Sequence, residues 1–208
     1  MQSAEDAASG AARVSARGSP KLFYGWIIVA NGFFVEMTVM GTALYSYGVF
    51  VLPLSREFGT GLFSAMLGLS ALNVSVALLS PLAGHLISRG SIKRYMMGGL
   101  ALLGAGFLCA AQAVALWQIV AAYALLIGFG YAFVAPIAAS VVITNWFTSL
   151  RGRAISIAAI GTSFGGLIIP PLTARIVETA GWRAAFVTFA LLFFVVAIPV
   201  VWALVVDR

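Results

Sequence analysis

Glu36 is the one ionisable side chain well inside a long apolar stretch of this 208-residue sequence. An unpaired carboxylate in hydrocarbon costs about 2.5 to 3.5 kcal/mol on insertion scales, so it needs a hydrogen-bonding partner or a proton. Two roles fit: an acid that carries a coupled proton or touches a polar ligand, or a neutral carboxylic acid bonded to a neighbouring helix. At about 100° per residue, Asn31, Thr38, Thr42 and Tyr45 fall on one stripe of a helix, and Glu36, Met40, Ala43 and Tyr47 fall on roughly the opposite face. Both stripes cannot face lipid. One lines a polar pathway and the other packs on a helix, and the spacing does not choose between them. Isolated Ser and Thr in such helices also serve as packing groups that bond their own backbone.

Other chemistry is scarce. Gly161-Thr-Ser-Phe-Gly165 has the form of a nucleophile elbow, G-x-S-x-G, but that motif needs a preceding strand and an acid and a histidine within reach. No strand pattern precedes it, no intramembrane Asp exists, and the single histidine, His85, lies at a helix end. The pattern reads instead as a close-packing face of small residues, as do Gly98, Gly99, Gly104 and Gly106. One histidine, six acids and a single cysteine, Cys109, leave no basis for a metal cluster or a disulfide framework. No cofactor and no enzymatic activity are expected.

The elements that position these residues follow from composition. Residues of the set AVILMFWYC make up 62% of the chain and charged residues 9%, against about 45–50% and about 25% in soluble domains. Polar surface is too scarce to cover such a core in water, so the solvent is a bilayer. At about 20 residues per span, the breaks give an all-α chain of six transmembrane helices, near 22–52, 61–87, 94–114, 116–146, 153–178 and 183–206, after a flexible tail over 1–21. Trp26, Trp117, Trp146, Trp182 and Trp202 lie near proposed ends, where their rings suit the headgroup level. Pro136, Pro170 and Pro171 interrupt the fourth and fifth helices and free carbonyls there, as static or flexing kinks.

The formal charge of +6 is dispersed in short gaps between apolar segments, which excludes a nucleic-acid footprint. It reports topology. Arg13, Arg17, Lys21, Arg89, Lys93, Arg94, Arg151, Arg153 and Arg208 fall on one side, and Arg56, Arg175 and Arg183 on the other, which places both termini in the cytoplasm. The halves also repeat. Trp26-Ile-Ile-Val-Ala30 matches Trp117-Gln-Ile-Val-Ala121 at an offset of 91, and Pro81-Leu82 matches Pro171-Leu172 at 90. Three spans per repeat require inverted topology.

Several patterns in order resemble the major facilitator superfamily, within it the monocarboxylate-transporter and oxalate/formate-antiporter-like branch. They are Tyr24-Gly-Trp26, Gly41, Tyr45-Ser-Tyr-Gly-Val-Phe50 and the loop Gly84-His-Leu-Ile-Ser-Arg-Gly-Ser-Ile-Lys-Arg94. Gly128-Phe-Gly130, Pro136, Asn145-Trp-Phe147, Arg151-Gly-Arg-Ala154, Gly161, Gly165-Gly166, Pro170-Pro171 and Gly181-Trp-Arg183 follow. Ser88 stands where the family usually has Asp, Ser91 where it has Gly, and Ala124 where proton-coupled members often carry Arg.

The resemblance implies one major-facilitator-type half-bundle of two inverted three-helix repeats. Its implied function is transport of a small organic anion, a monocarboxylate or dicarboxylate, by alternating access on a proton or anion gradient. The resembling family supplies its substrate-binding cations largely from the second half. On this reading Glu36, Asn31, Thr38, Thr42, Tyr45 and Tyr47 are the candidates for pathway or coupling, and Gly84, Arg89, Lys93, Arg94, Arg151 and Arg153 for the gating loop. The partners are the anion, protons, the bilayer of a plasma or bacterial inner membrane, and a second six-helix half, covalent or homodimeric. The alternatives are a half-transporter acting as a parallel homodimer and a truncated, non-transporting interaction protein.

Overall fold

The computed structural model describes residues 20–134 and 151–204, and among them no strand is present. Helix is the form in which an apolar chain satisfies its backbone within one segment, which hydrocarbon demands. The first span joins α1 (Pro20–Val39) to α2 (Tyr47–Glu57) through a π-helical turn, Met40–Tyr45. The second and third are α3 (Leu62–Arg89) and α4 (Ile92–Ala111). The fourth is built from α5 (Leu116–Ala121), a π segment (Ala122–Ile127) and α6 (Gly128–Val134). The helical run α7 (Arg151–Leu191) continues through a π segment (Leu192–Ala197) into α8 (Ile198–Leu204).

Five stretches are long and apolar enough to cross a membrane, and the last, Gly152–Leu204, has 53 residues. A straight helix of that length reaches about 80 Å, more than twice a hydrocarbon core of about 30 Å. It does not run straight. Gly181, at φ 85° and ψ 165°, divides α7 into 151–180 and 182–191, a backbone geometry that glycine adopts without the Cβ clash of other residues. The run is therefore a fifth and a sixth span.

Some limits differ from the sequence reading. The first span does not stop at 52 but carries its helix through Pro53 to Glu57, because hydrocarbon offers a freed backbone group no better partner than the helix itself. Its C-cap is Phe58, and Gly59 (φ 61°) turns the chain. The third span starts at Ile92 rather than 94, since Ser91 caps it by accepting the Arg94 amide at 3.3 Å, and it ends at Ala111. Of the expected 116–146 helix, the part beyond Val134 lies outside the described residues, as do Pro136, Trp146 and the tail before Pro20.

The packing carries the internal repeat. A Cβ added at Gly165 in the fifth span would overlap the Met37 carbonyl oxygen of the first, and one at Gly128 in the fourth would stand 2.7 Å from Ser75 Cβ in the second. Gly128 lies 91 residues after Met37, and Gly165 lies 90 after Ser75, so one contact is the repeat image of the other. Two further contacts join residues to their own images. Tyr131 meets Met40, 91 residues earlier, and Phe194 packs on Gly104, 90 residues earlier. A two-fold axis must pass between such self-paired residues, and here it runs from the first and fourth spans to the third and sixth. Around it lies an aromatic core in which Phe107 stacks on Phe193 at 5.8 Å and meets Tyr123, Phe186 and Phe189.

The connections between spans one and two, three and four, and five and six gather at one end. There Glu57 accepts the Trp182 indole N–H and pairs with Arg183 at 2.5 Å. Arg183 also donates to the Ala113 carbonyl at 3.1 Å and lies 4.2 Å over the Trp182 ring. At the opposite end Lys93 stands 5.5 Å from the Trp202 ring, joining the third span to the sixth.

Two sets of variants test this packing in thermal unfolding of the solubilised protein. Alanine at Gly161 or Gly165 forces a Cβ onto the fixed carbonyls of Phe33 and Met37 and should cost about 1 to 3 kcal/mol, whereas alanine at Gly98, which meets nothing within 4 Å, should cost nothing. At the loop cluster, Trp182→Ala removes a side chain only 5% exposed and should cost about 3 to 5 kcal/mol. Glu57→Gln, in a partly exposed pair, should cost less than about 1 kcal/mol.

Candidate functional site

The site begins with two missing side chains. Gly161 and Gly165 lie one helical turn apart on the fifth span, and Cβ atoms there would collide with the carbonyls of Phe33 and Met37. Their absence lets the fifth span rest on the backbone of the first, a contact of the small-xxx-small kind. Gly41 yields in the same way to Ile169, and Gly166 to the Tyr45 ring. Phe33 and Phe164 meet edge-to-face at 5.5 Å along the seam.

At this spacing polar side chains meet across the seam. Thr162 follows Gly161 and donates through Oγ1 to Glu36 Oε2 at 3.2 Å. Glu36 is 4% exposed, and among the described residues no Lys or Arg lies in the middle of a span to neutralise it. Further along, Ser46 Oγ and Thr173 Oγ1 are 3.2 Å apart, and Ser46 also donates to the Gly41 carbonyl at 2.7 Å. That carbonyl accepts the Ser46 amide at 3.0 Å, closing the wider ring of the π turn. On the fourth span Tyr131 donates to Met40 Sδ at 2.7 Å. Met40 stands one turn after Glu36, so the first, fourth and fifth spans converge on one short stretch of the first.

The residues expected to line a pathway are distributed as follows. Glu36, Asn31, Thr38, Thr42 and Tyr47 are all buried, and Tyr45 is exposed. Both stripes of the first span thus pack largely against protein, and the first opens outward only at Tyr45. Thr38 and Thr42 donate to carbonyls of their own helix, Phe34 at 2.8 Å and Thr38 at 2.7 Å. Tyr47 donates to the Ala65 carbonyl of the second span at 2.6 Å. The Asn31 amide is buried with no hydrogen-bond partner among the described residues.

The gating-loop candidates lie apart from this seam. Arg89, Arg94 and Arg153 are exposed, Gly84 is half-buried, and Lys93 is engaged with Trp202. The side chains of Ser88 and Arg151 and the Asn145-Trp-Phe147 motif lie outside the described residues. The Gly161-x-x-x-Gly165 pattern is a packing face, and so are Gly99, Gly104 and Gly106. Gly98 is not: it faces open space.

Two residues of the site, Thr162 and Tyr131, and one of the loop cluster, Glu57, escaped the sequence reading as partners. Thr162 sits inside the very motif that drew attention to Ser163. The repeat offset itself would have matched Tyr131 to Met40. Glu57, an acid at a helix end, gives no local sign that it holds Trp182 and Arg183.

Comparison with known proteins fits this architecture. Residues 25–208 match the family model of the Major Facilitator Superfamily. An uncharacterized transporter of that type, YcxA of Bacillus subtilis, is 24% identical over 183 residues, 88% of this chain and 44% of its own. Human monocarboxylate transporter 11 is 29% identical over 170 residues, covering 81% of this chain and 35% of its own. Mouse monocarboxylate transporter 3 is 27% identical over 174 residues, 83% and 35%. The chain thus spans less than half the length of these relatives, which are transporters. With six apolar spans packed about an internal two-fold and a family match over nearly its whole length, this chain belongs to the major facilitator superfamily.

Proposed function

We propose that this chain forms one six-helix half of a secondary transporter for a small organic anion, a monocarboxylate or dicarboxylate, with both termini in the cytoplasm. The half rocks as a unit against a second six-helix bundle, alternating access to a site between them. Relatives about twice as long or longer support a covalent second bundle, and the two relatives named as monocarboxylate transporters support the substrate class.

The observation that carries the reading is Glu36: a carboxyl buried in a helix seam, hydrogen-bonded to a neutral hydroxyl and faced by no cation among the described residues. A group so placed exchanges charge with the rest of the protein by taking or releasing a proton. The mid-span regions described here hold no Lys or Arg, so the cation that would meet a carboxylate substrate comes from the second bundle. Thr162 positions the acid, and the glycines beside it keep the seam closed.

The test is uptake of radiolabelled lactate, pyruvate and oxalate into vesicles containing the native polypeptide, with and without an inward proton gradient. The gradient should accelerate uptake of at least one of these anions. Glu36→Gln should remove that acceleration, with a loss of about tenfold or more, or about 1.4 kcal/mol, while gradient-independent exchange persists. Gradient-driven uptake that is unchanged in Glu36→Gln would falsify the coupling role.

A further inference from the structure

Tyr131 makes an unusual bond for a buried phenol. Its side chain is 7% exposed, and its hydroxyl donates to Met40 Sδ at 2.7 Å. A thioether sulfur is a weak acceptor. The pseudo-two-fold axis, which pairs residue 131 with residue 40, aims the phenol at one face of the first span. Glu36 lies on that face four residues before Met40, and residues so spaced are neighbours on a helix surface. A donor held by a weak acceptor therefore stands one turn from a carboxyl, whose ionised form is a much stronger acceptor. Thr162 fills one acceptor position of that carboxyl, and a carboxylate has room for several donors.

We propose that Tyr131 is the mobile donor of the Glu36 site: its hydroxyl rests on Met40 Sδ while Glu36 is protonated and transfers its hydrogen bond to the carboxylate when the proton leaves. Met40 is then a parking acceptor, and Tyr131 a positioning residue that links the fourth span to the charge state of the first. The inference rests on the reading of Glu36 as the coupling acid. No covalent bond changes; one hydrogen bond is exchanged for another.

Dicyclohexylcarbodiimide, an apolar reagent that adds to un-ionised carboxylic acids, reads the state of Glu36 without any transport. The native polypeptide in vesicles is treated at one neutral pH, and the adduct on the Glu36 peptide is measured by mass. Tyr131→Phe deprives the carboxylate of a donor and should raise the labelling rate at least about threefold, since a hydrogen bond to a charged group is worth about 1.5–3 kcal/mol. Met40→Leu removes the competing acceptor and should lower it. Unchanged labelling in both variants, a shift of both in one direction, or no adduct in either wild type or Tyr131→Phe overturns the inference. If Tyr131→Phe does not fold, Met40→Leu decides alone: reduced labelling supports the exchange, and unchanged labelling contradicts it. A negative labelling result beside an intact Glu36→Gln transport phenotype removes Tyr131 and leaves the coupling reading standing.

Discussion

The backbone contact between the first and fifth spans is the constraint from which the rest of the site follows. In a bilayer, helices gain nothing by hiding apolar side chains from one another, since lipid is as apolar as leucine; close van der Waals approach and interhelical hydrogen bonds hold them together. Gly161 and Gly165 give that approach here by leaving space for the Phe33 and Met37 carbonyls. Once the helices are so close, Thr162 reaches Glu36 and Ser46 reaches Thr173. Widening the seam would take the Thr162 donor away from Glu36, a residue only 4% exposed. Packing and chemistry are therefore one arrangement, and a change in either is felt in the other.

The internal two-fold shows where the molecule has specialised. By the offsets that pair Met37 with Gly128 and Ser75 with Gly165, the image of Glu36 is Ile127, 91 residues later, and the image of Thr162 is Leu72, 90 residues earlier. Ile127 and Leu72 are both buried, at 0% and 1% exposure. The polar pair of one seam is thus an apolar pair in the other. The common framework needs only small residues at the crossings, and the acid is an addition to one copy of it. That asymmetry sets Glu36 apart from the framework, which the other seam builds with apolar residues at the same positions.

Much of this was legible in the sequence, for reasons that differ by residue. The spans read clearly because about 20 apolar residues in a row have few other fates, and Glu36 stood out because a charge is rare there. The repeat was visible in two short matches, and its contacts now run through Met40 and Tyr131 and through Gly104 and Phe194. The partner of Glu36 was not legible, because threonines are common in membrane helices and most bond their own backbone, as Thr38 and Thr42 do. Nor could periodicity tell Gly98 from Gly99: adjacent glycines point 100° apart about a helix, and only the neighbour decides which one is crowded. The first boundary fell short because the apolar run stops at Leu52, whereas the helix continues through Pro53 and the polar residues Ser55, Arg56 and Glu57, which hydropathy does not count as span.

The claim on which the account stands is that the first and fifth spans are in closed contact in the membrane, with Ser46 and Thr173 touching beyond Glu36. Cysteines at these two positions, in a Cys109→Ala background and in native membranes, would bring their sulfurs to where the two hydroxyls now lie 3.2 Å apart. Mild oxidation should then give a nearly complete intramolecular disulfide, seen as a linked pair of peptides in the digested protein. Two cysteines that stay reduced, or that link only between molecules, would contradict the closed seam and the Glu36 site built on it.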